Sequence, residues 1–330
     1  MDFQEFSDYQ KSLLPFGQPI VTADNLMHFE FNDDYRDSLL ATAEFYLQAI
    51  EHHKVYLKIP LGLIFSSEIS ENAKAGVHEG RGLIVWNGGL LIKQIKLKEK
   101  EAKIKYAIEQ TELADFLSQL DNPPSTLFFQ SLQHFTFYHE FAHVIQLQEK
   151  GGMEIMLSPQ QNEYDVNKHL LELNADEFSA LLLSSHIEQY AMGMFGKVDK
   201  ENLSKLLSLF LVPILTESIS IYPDDLTDFN MEKGSHPHPM VRLLHTVISM
   251  IEALNQRHVK GFKLNSKEIL IQTMEVASQL TKLDLMTLWK DNLKPIMAYF
   301  NIMKDSPFPE GYIDPIDKWN EEIQARQNLA

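Results

Sequence analysis

The chain has 330 residues, of which 44% are hydrophobic, so it can form the core of one large domain or of two small ones. Its 29 basic and 46 acidic residues give a formal net charge of −17, which argues against general affinity for nucleic acid or for anionic membranes. Because it has no cysteine, disulfides, thiolate nucleophiles and cysteine-ligated metal sites are excluded, and a reducing compartment suits it.

The first predicted element is a helix over Tyr35–His53. The N-terminus before it is acidic and lacks the basic start and the apolar core of a secretory signal, so we expect a cytoplasmic protein. Apolar residues recur at helical spacing behind Asn32, which is a good N-capping residue. We expect His52 and His53, at the end of this helix, to be solvated, as most histidines near helix C-termini are.

Strands are predicted after this helix. The stretches Val55–Phe65 and Arg81–Trp86 are rich in β-branched and aromatic residues. The turn that begins at Asn87 and continues with two glycines then predicts a tight connection to a further strand, Leu90–Ile92. Six lysines alternate with glutamates and apolar residues over Lys93–Lys105, which predicts a solvated helix face rather than a nucleic-acid patch.

The central stretch, Phe135–Gln146, contains the signature His-Glu-x-x-His and follows chain-breaking residues at Asp121–Ser125. His139 and His143 are four residues apart, so on a helix they share a face and can aim ring nitrogens at one cation. Glu140 is one step around the helix, where a carboxylate can act on a metal-activated water without binding the metal. Apolar residues surround the motif, which predicts a buried helix whose histidines need partners.

A second helix, predicted over about Val166–His186, carries two acids that share a face. Glu172 could complete a His, His, Glu zinc site with an open position for water. Asp176, one turn later, could hold a ligand imidazole by its other nitrogen. The competing interpretation is that both acids face solvent, as most helical acids do. The upstream motif favours the metal site.

The remaining chain predicts mainly helices. The apolar run Leu206–Leu215 is too short to span a membrane, so we interpret it as a buried helix. In the sequence that begins at His236, prolines pin the backbone, which suits an active-site donor, although an exposed loop histidine explains the spacing equally well. Arg242 opens a helix, and two further helices are predicted over Ser266–Lys282 and Leu285–Lys304.

Separated stretches of the chain resemble, in their order, the gluzincin metallopeptidases that include the CAAX prenyl endopeptidase and the bacterial heat-shock membrane protease. That family has an edge strand Asn-Ala-x-Ala, then Gly-x-Ile-Val-x-x-x-Gly-Leu-Leu, the zinc helix, Glu-x-x-Ala-Asp, and His-Pro followed by Arg. The matching stretches here are Asn72–Ala75, Gly82–Leu91, His139–His143, Glu172–Asp176, and His236-Pro237 with Arg242. The chain departs from the family in its lysine-rich insert, its lack of membrane helices and an additional His238, so a soluble variant similar to the phage-exclusion peptidases is one expectation.

The resemblance implies a fold and a set of site residues. The fold is α+β and predominantly α, a zincin-like catalytic domain over residues 1–330 with a small antiparallel sheet whose edge strand faces the active site. Its segments are an N-terminal helical segment (1–54), the sheet region (55–98), the metal-site helices (126–256) and a C-terminal helical extension (257–330). The implied roles are zinc ligands His139, His143 and Glu172, catalytic base Glu140, a supporting Asp176, a strand near Ile84 that holds the substrate backbone, and His236 and Arg242 bordering the active site.

The leading hypothesis is a zinc-dependent endopeptidase with Zn²⁺ as cofactor and a protein or peptide as substrate. Substrate would add as a strand at the edge Leu83–Trp86. The oxyanion donor is left open among His236, Arg242 and Tyr138. One alternative is a binding or regulatory protein in which zinc only stabilises a peptidase scaffold, although Glu140 has no purpose in such a site. Another is a metal hydrolase that acts on something other than peptides.

Overall fold

The computed structural model describes residues 1–17, 20–27, 33–150, 154–156, 164–221, 236–257 and 263–329. Asn32, the predicted N-capping residue, lies outside the described residues. The helices are α1 (Phe3–Gly17), α2 (Asp33–His52), α3 (Gly88–Ile95), α4 (Glu101–Glu109), α5 (Pro124–Leu147), α6 (Val166–Phe195), α7 (Lys200–Ile221), α8 (Pro239–Arg257), α9 (Ser266–Thr281), α10 (Leu285–Asp305) and α11 (Pro315–Leu329). The strands are β1 (Leu61–Ser66), β2 (Ala73–His78), β3 (Arg81–Asn87) and β4 (Glu154–Met156).

The chain divides into two compact units. The first contains Met1–Lys96, Thr136–Gln160 and Phe308–Ala330, and the second contains Leu97–Phe135 and Gln161–Pro307. The boundary falls inside α5, whose residues before Thr136 belong to the second unit and whose later residues belong to the first. Helices predominate in the described residues, so the predicted α+β, mainly α, class is confirmed.

The first unit contains a four-stranded sheet in the order β1-β3-β2-β4. Strands β2 and β3 form an antiparallel hairpin through Glu79 and Gly80, whose φ angles of 49° and 73° match the turn that favours tight hairpins. Strand β1 runs parallel to β3. The expectation of an antiparallel sheet is therefore wrong for this pairing, and the sheet is mixed.

Strand β3 lies inside the sheet, between β1 and β2. Its residues Leu83–Trp86 are fully buried and pair on both sides, so the prediction that this strand is a free edge for substrate is wrong. The physical reason is that a continuous apolar run is typical of a strand covered on both faces and flanked on both edges.

The stretch after β3 is also corrected, because Leu90–Ile92 belongs to helix α3 and not to a strand. A side chain at Gly89 would place its Cβ 2.0 Å from the backbone oxygen of Ile69, so only glycine fits at this position of α3. The buried side of this short helix is formed by Leu90, Leu91 and Ile95. The turn-like sequence before Leu90 does not predict a helix.

The second unit is built on packed helices. Helix α6 packs against α8 and α7 packs against α9, around a core that includes Leu206, Leu207 and Val212. Helix α7 is long and apolar enough to cross a membrane by composition alone, but 72% of its most apolar window is buried inside the structure. The prediction of a buried helix over Leu206–Leu215 is confirmed.

Candidate metal centre

Helix α5 places the two histidines of the motif on one buried face. The residues around them, including Phe137, Phe141 and Val144, are fully buried, so the helix is enclosed by apolar side chains as predicted. His139 and His143 are themselves buried, with 8% and 1% of their surface exposed. Buried imidazoles that lie one helical turn apart need polar partners, which a shared cation would supply.

The ring nitrogens of this pair converge. The Nε2 atoms of His139 and His143 are 3.1 Å apart. Two ligands at about 2.0–2.1 Å from a tetrahedral ion are separated by roughly 3.3 Å, so this spacing suits two nitrogens of one metal site. The helix geometry alone therefore brings together two nitrogens that one metal ion could share.

Gln146 determines which nitrogen of His143 is available. Its side-chain Oε1 lies 2.8 Å from Nδ1 of His143 and can only accept, so Nδ1 carries the proton and donates it. The lone pair of Nε2 is then directed towards His139. Gln146 is fully buried, three residues after His143 on the same helix, which fixes the orientation of the ring. Sequence reasoning missed this residue, although the i, i+3 spacing could have found it.

Glu172 is the third member of the cluster. It lies in α6, whose N-cap Asp165 accepts a hydrogen bond from the backbone N–H of Asn167. Glu172 is 4% exposed, so the interpretation that it faces solvent is wrong. His139, His143 and Glu172 each offer one ligand atom, and these atoms lie within 4.8 Å of one another. The predicted ligand set is thus brought together as a cluster that could hold a metal ion.

Glu140 follows His139 in α5, as the motif requires. Only 4% of its surface is exposed. A carboxylate one residue from a ligand is rotated by about 100° around the helix, so it lies beside the ligand face and not on it. Its burial distinguishes it from Glu149 just beyond the helix, which is half exposed and pairs with Lys58.

Asp176 is fully buried and forms a bidentate pair with Arg242. The Nε and Nη2 atoms of Arg242 donate to the two carboxylate oxygens of Asp176 at 2.7 Å each. For His143, the role of imidazole support that was predicted for Asp176 is filled by Gln146. Asp176 lies in α6 one turn after Glu172 and Arg242 lies in α8, so this pair links the two helices close to Glu172.

His236 lies close to the ligand carboxylate. Its Nε2 is 3.6 Å from Oε1 of Glu172, and its side chain is 15% exposed. The interpretation of His236 as an exposed loop histidine is therefore wrong. Pro237 precedes α8 and Pro239 is its first residue, so both restrict the backbone next to His236, which lies outside the helix.

Tyr138 and His53 form a separate contact in the first unit. The Tyr138 hydroxyl lies 3.4 Å from Nε2 of His53, and the His53 ring also packs against Tyr56 and Phe141. His53 is therefore partly buried by these rings, whereas His52 is exposed as predicted. Burial raises the pKa of the Tyr138 hydroxyl, with Tyr56 adding to the shift, so this group stays protonated.

Replacing Arg242 with methionine is expected to lower the free energy of unfolding by about 3–5 kcal/mol, because it leaves the buried carboxylate of Asp176 without its bidentate donor. Urea unfolding of the metal-free protein, followed by circular dichroism, measures the loss. The matched control is Arg257→Met, also in α8. Arg257 pairs with Glu188 at 3.3 Å in a partly exposed position, so about 1 kcal/mol is expected. Equal losses would show that the Asp176 pair has no special role.

We infer the candidate site residues from the geometry of this chain alone. Comparisons with protein-family models, with curated proteins and with solved structures found no match.

Proposed function

We propose that this protein is a zinc-dependent endopeptidase. The observation that carries the proposal is the buried cluster of His139, His143 and Glu172, with a buried Glu140 next to the first ligand. Two neutral imidazoles and one carboxylate form the donor set that zinc hydrolases use, with one position left for water or substrate. Calcium and magnesium prefer oxygen ligands throughout, so this set favours zinc.

The buried residues fit such an ion in both spacing and protonation. Gln146 faces Nδ1 of His143, which leaves Nε2 as the ring nitrogen available to a metal, and the 3.1 Å separation from Nε2 of His139 suits one shared cation. A zinc ion bound here would act as a Lewis acid, polarising the substrate carbonyl and lowering the pKa of water. Each further role belongs to side chains of this chain.

Glu140 is assigned the proton transfers. Its carboxylate takes the proton from the attacking water and later delivers it to the nitrogen of the leaving amine. Glu140 itself is 4% exposed, so its carboxylate exchanges few hydrogen bonds with bulk water, which keeps the proton within the site between the two steps. A purely structural zinc site has no use for an acid in this position.

His236 is assigned the role of electrophilic donor. The sequence offers three candidates for this role. Arg242 is already engaged, because its Nε and Nη2 atoms both donate to Asp176. Tyr138 is directed to His53 in the first unit. His236 remains, because its Nε2 lies 3.6 Å from the carboxylate of Glu172 and its side chain is only 15% exposed. A donor beside a ligand carboxylate is well placed to stabilise negative charge that develops on the substrate.

Removing the metal tests this proposal. Dialysis against a chelator is expected to abolish cleavage of a fluorescently labelled unfolded protein, and one equivalent of zinc per chain is expected to restore it. Metal content by atomic emission and thermal unfolding should be followed in the same samples. If zinc binds and raises the unfolding temperature without any cleavage, the zinc-stabilised binding protein replaces the peptidase. Full activity without metal would contradict both.

A further inference from the structure

A second pair of histidines lies between two helices of the second unit. His134 of α5 and His186 of α6 both belong to that unit. Their ring centroids are 4.7 Å apart and the ring planes are tilted by 54°. Both residues are half-buried, so solvent and ions can reach the pair. The two residues are far apart in sequence, so the packing of the helices and not a local motif brings the rings together.

The separation of these rings suits one shared metal ion. A metal at about 2.0–2.1 Å from an imidazole nitrogen lies roughly 3.2 Å from the ring centre, so two rings at about 90–110° around one ion have centres roughly 4.5–5.2 Å apart. The candidate ligands His139 and His143 have ring centroids 4.6 Å apart and Nε2 atoms 3.1 Å apart. The pair of His134 and His186 therefore has nearly the same ring spacing as a pair whose nitrogens converge.

This pair is distinct from the candidate metal centre. His134 precedes His139 by five residues, which rotates its side chain by about 140° around α5. On α6, His186 follows Glu172 by about four turns, or roughly 21 Å along the helix axis. Neither ring can therefore be a further ligand of the ion that His139 and Glu172 would hold.

The charges of the two helices favour a cation between them. Helix α5 contains no lysine or arginine, and α6 contains only Lys168, which lies in its first turn. Arg257 pairs with Glu188 at 3.3 Å and donates to two serines that precede His186. Glu188 and these serines lie about 100–160° around α6 from His186, so this guanidinium is directed away from the ring and is offset by a carboxylate.

Protons do not compete with a metal at His134. Burial, together with the neighbouring His186, lowers the pKa of His134 to about 3, so its ring is neutral at physiological pH. A neutral imidazole has one N–H and one lone pair, so one nitrogen can bind a metal while the other makes a hydrogen bond. Metal binding then releases no proton from this ring.

We propose that His134 and His186 form a second metal site, which takes zinc or another late first-row transition ion and ties α5 to the second half of α6. Imidazole is a ligand that zinc, nickel and copper ions share. Within the described residues, the cluster of three possible ligands is the candidate metal centre, so water completes the second site and its ion binds more weakly. The competing interpretation is that two neutral rings merely pack as aromatic groups.

Zinc stoichiometry tests this proposal on the full chain. At saturating free zinc, the wild type is expected to bind two ions, as measured by equilibrium dialysis and atomic emission. His186→Gln is expected to bind one ion fewer, because a single imidazole remains at the site. Equal numbers of bound ions in the two proteins overturn the proposal. The comparison needs no cleavage, so it stands whether or not the protein is a peptidase.

The matched control is His52→Gln. The rings of His52 and His53 are also 4.7 Å apart, but these residues are adjacent in sequence and His52 is exposed. His52→Gln should therefore bind as many zinc ions as the wild type. If this control loses the weaker ion and His186→Gln retains it, the second ion belongs to the exposed pair and the proposal is overturned.

Anomalous scattering locates the ion directly. Crystals soaked in zinc, with data collected at the zinc absorption edge, should show a peak between the rings of His134 and His186. The peak should be missing in His186→Gln. Excess zinc should also raise the unfolding temperature of the wild type by more than that of the variant. If His186→Gln does not fold, His134→Gln removes the other ligand and is compared in the same way. A wild-type crystal with no peak between these rings overturns the proposal.

Discussion

Replacing Glu140 with glutamine is expected to reduce cleavage of an unfolded protein by at least about 10²–10⁴-fold, the contribution of a positioned general base. The amide has nearly the same volume as the carboxylate but cannot take a proton from water. Because Glu140 is not one of the three clustered ligands, the zinc content of the variant should equal that of the wild type. Cleavage rates and metal content are measured on the same preparations.

The control for this substitution is Glu149→Gln, which makes the same chemical change just beyond the same helix. Glu149 is half exposed and pairs with Lys58 on the surface, so its loss should leave the cleavage rate within a factor of two or so. A Glu140→Gln protein that retains zinc and cleaves as fast as this control would exclude Glu140 as the base. It would then favour the alternative in which zinc stabilises a binding protein.

The histidine pair could be found in the sequence because its geometry is local. A spacing of four residues places two side chains on one helix face whatever the rest of the fold does. Glu172 and Asp176 lie on a second helix with the same regularity, and the burial of both acids agrees with the prediction. Only their partners were uncertain, since a sequence does not say which distant residue meets an acid.

The sheet could not be predicted to the same degree. Strand order depends on pairings between distant segments, and the buried run Leu83–Trp86 does not identify the strands that pair with it. The chain inserts β3 between β1 and β2, and β4 comes from beyond the histidine helix. The glycines before Leu90 predict a tight connection between two strands. In the structure, Gly89 is required because the backbone of Ile69 approaches it closely.

The residues that support the candidate ligands could not be predicted from the sequence either. Gln146 belongs to no motif, and it acquires its role from one contact, with Nδ1 of His143. Such contacts depend on side-chain rotamers as much as on spacing. The supporting groups of a site are for this reason harder to predict than its ligands, even when they lie on the same helix.

Replacing Glu172 with glutamine should weaken zinc binding by more than about 100-fold, since losing a ligand exceeds the 10–100-fold effect of losing a supporting group. The matched control, Glu177→Gln, changes an acid of the same helix that lies 3.4 Å from His245 and outside the ligand cluster. Competition with a chromophoric chelator measures both affinities. Equal losses would mean that another group is the third ligand.

Thermal unfolding separates a lost ligand from a damaged fold. Glu172 is 4% exposed, so its charge is costly without metal, and the glutamine variant is expected to be at least as stable as the wild type when both are metal-free. Zinc at 100 times the dissociation constant stabilises a folded protein by about 2.7 kcal/mol, so the wild type should gain stability on zinc addition and the variant should not. A variant that unfolds early without metal would point to a structural role for Glu172. A variant that is stable but does not respond to zinc identifies Glu172 as the ligand that turns a buried histidine pair into a metal site.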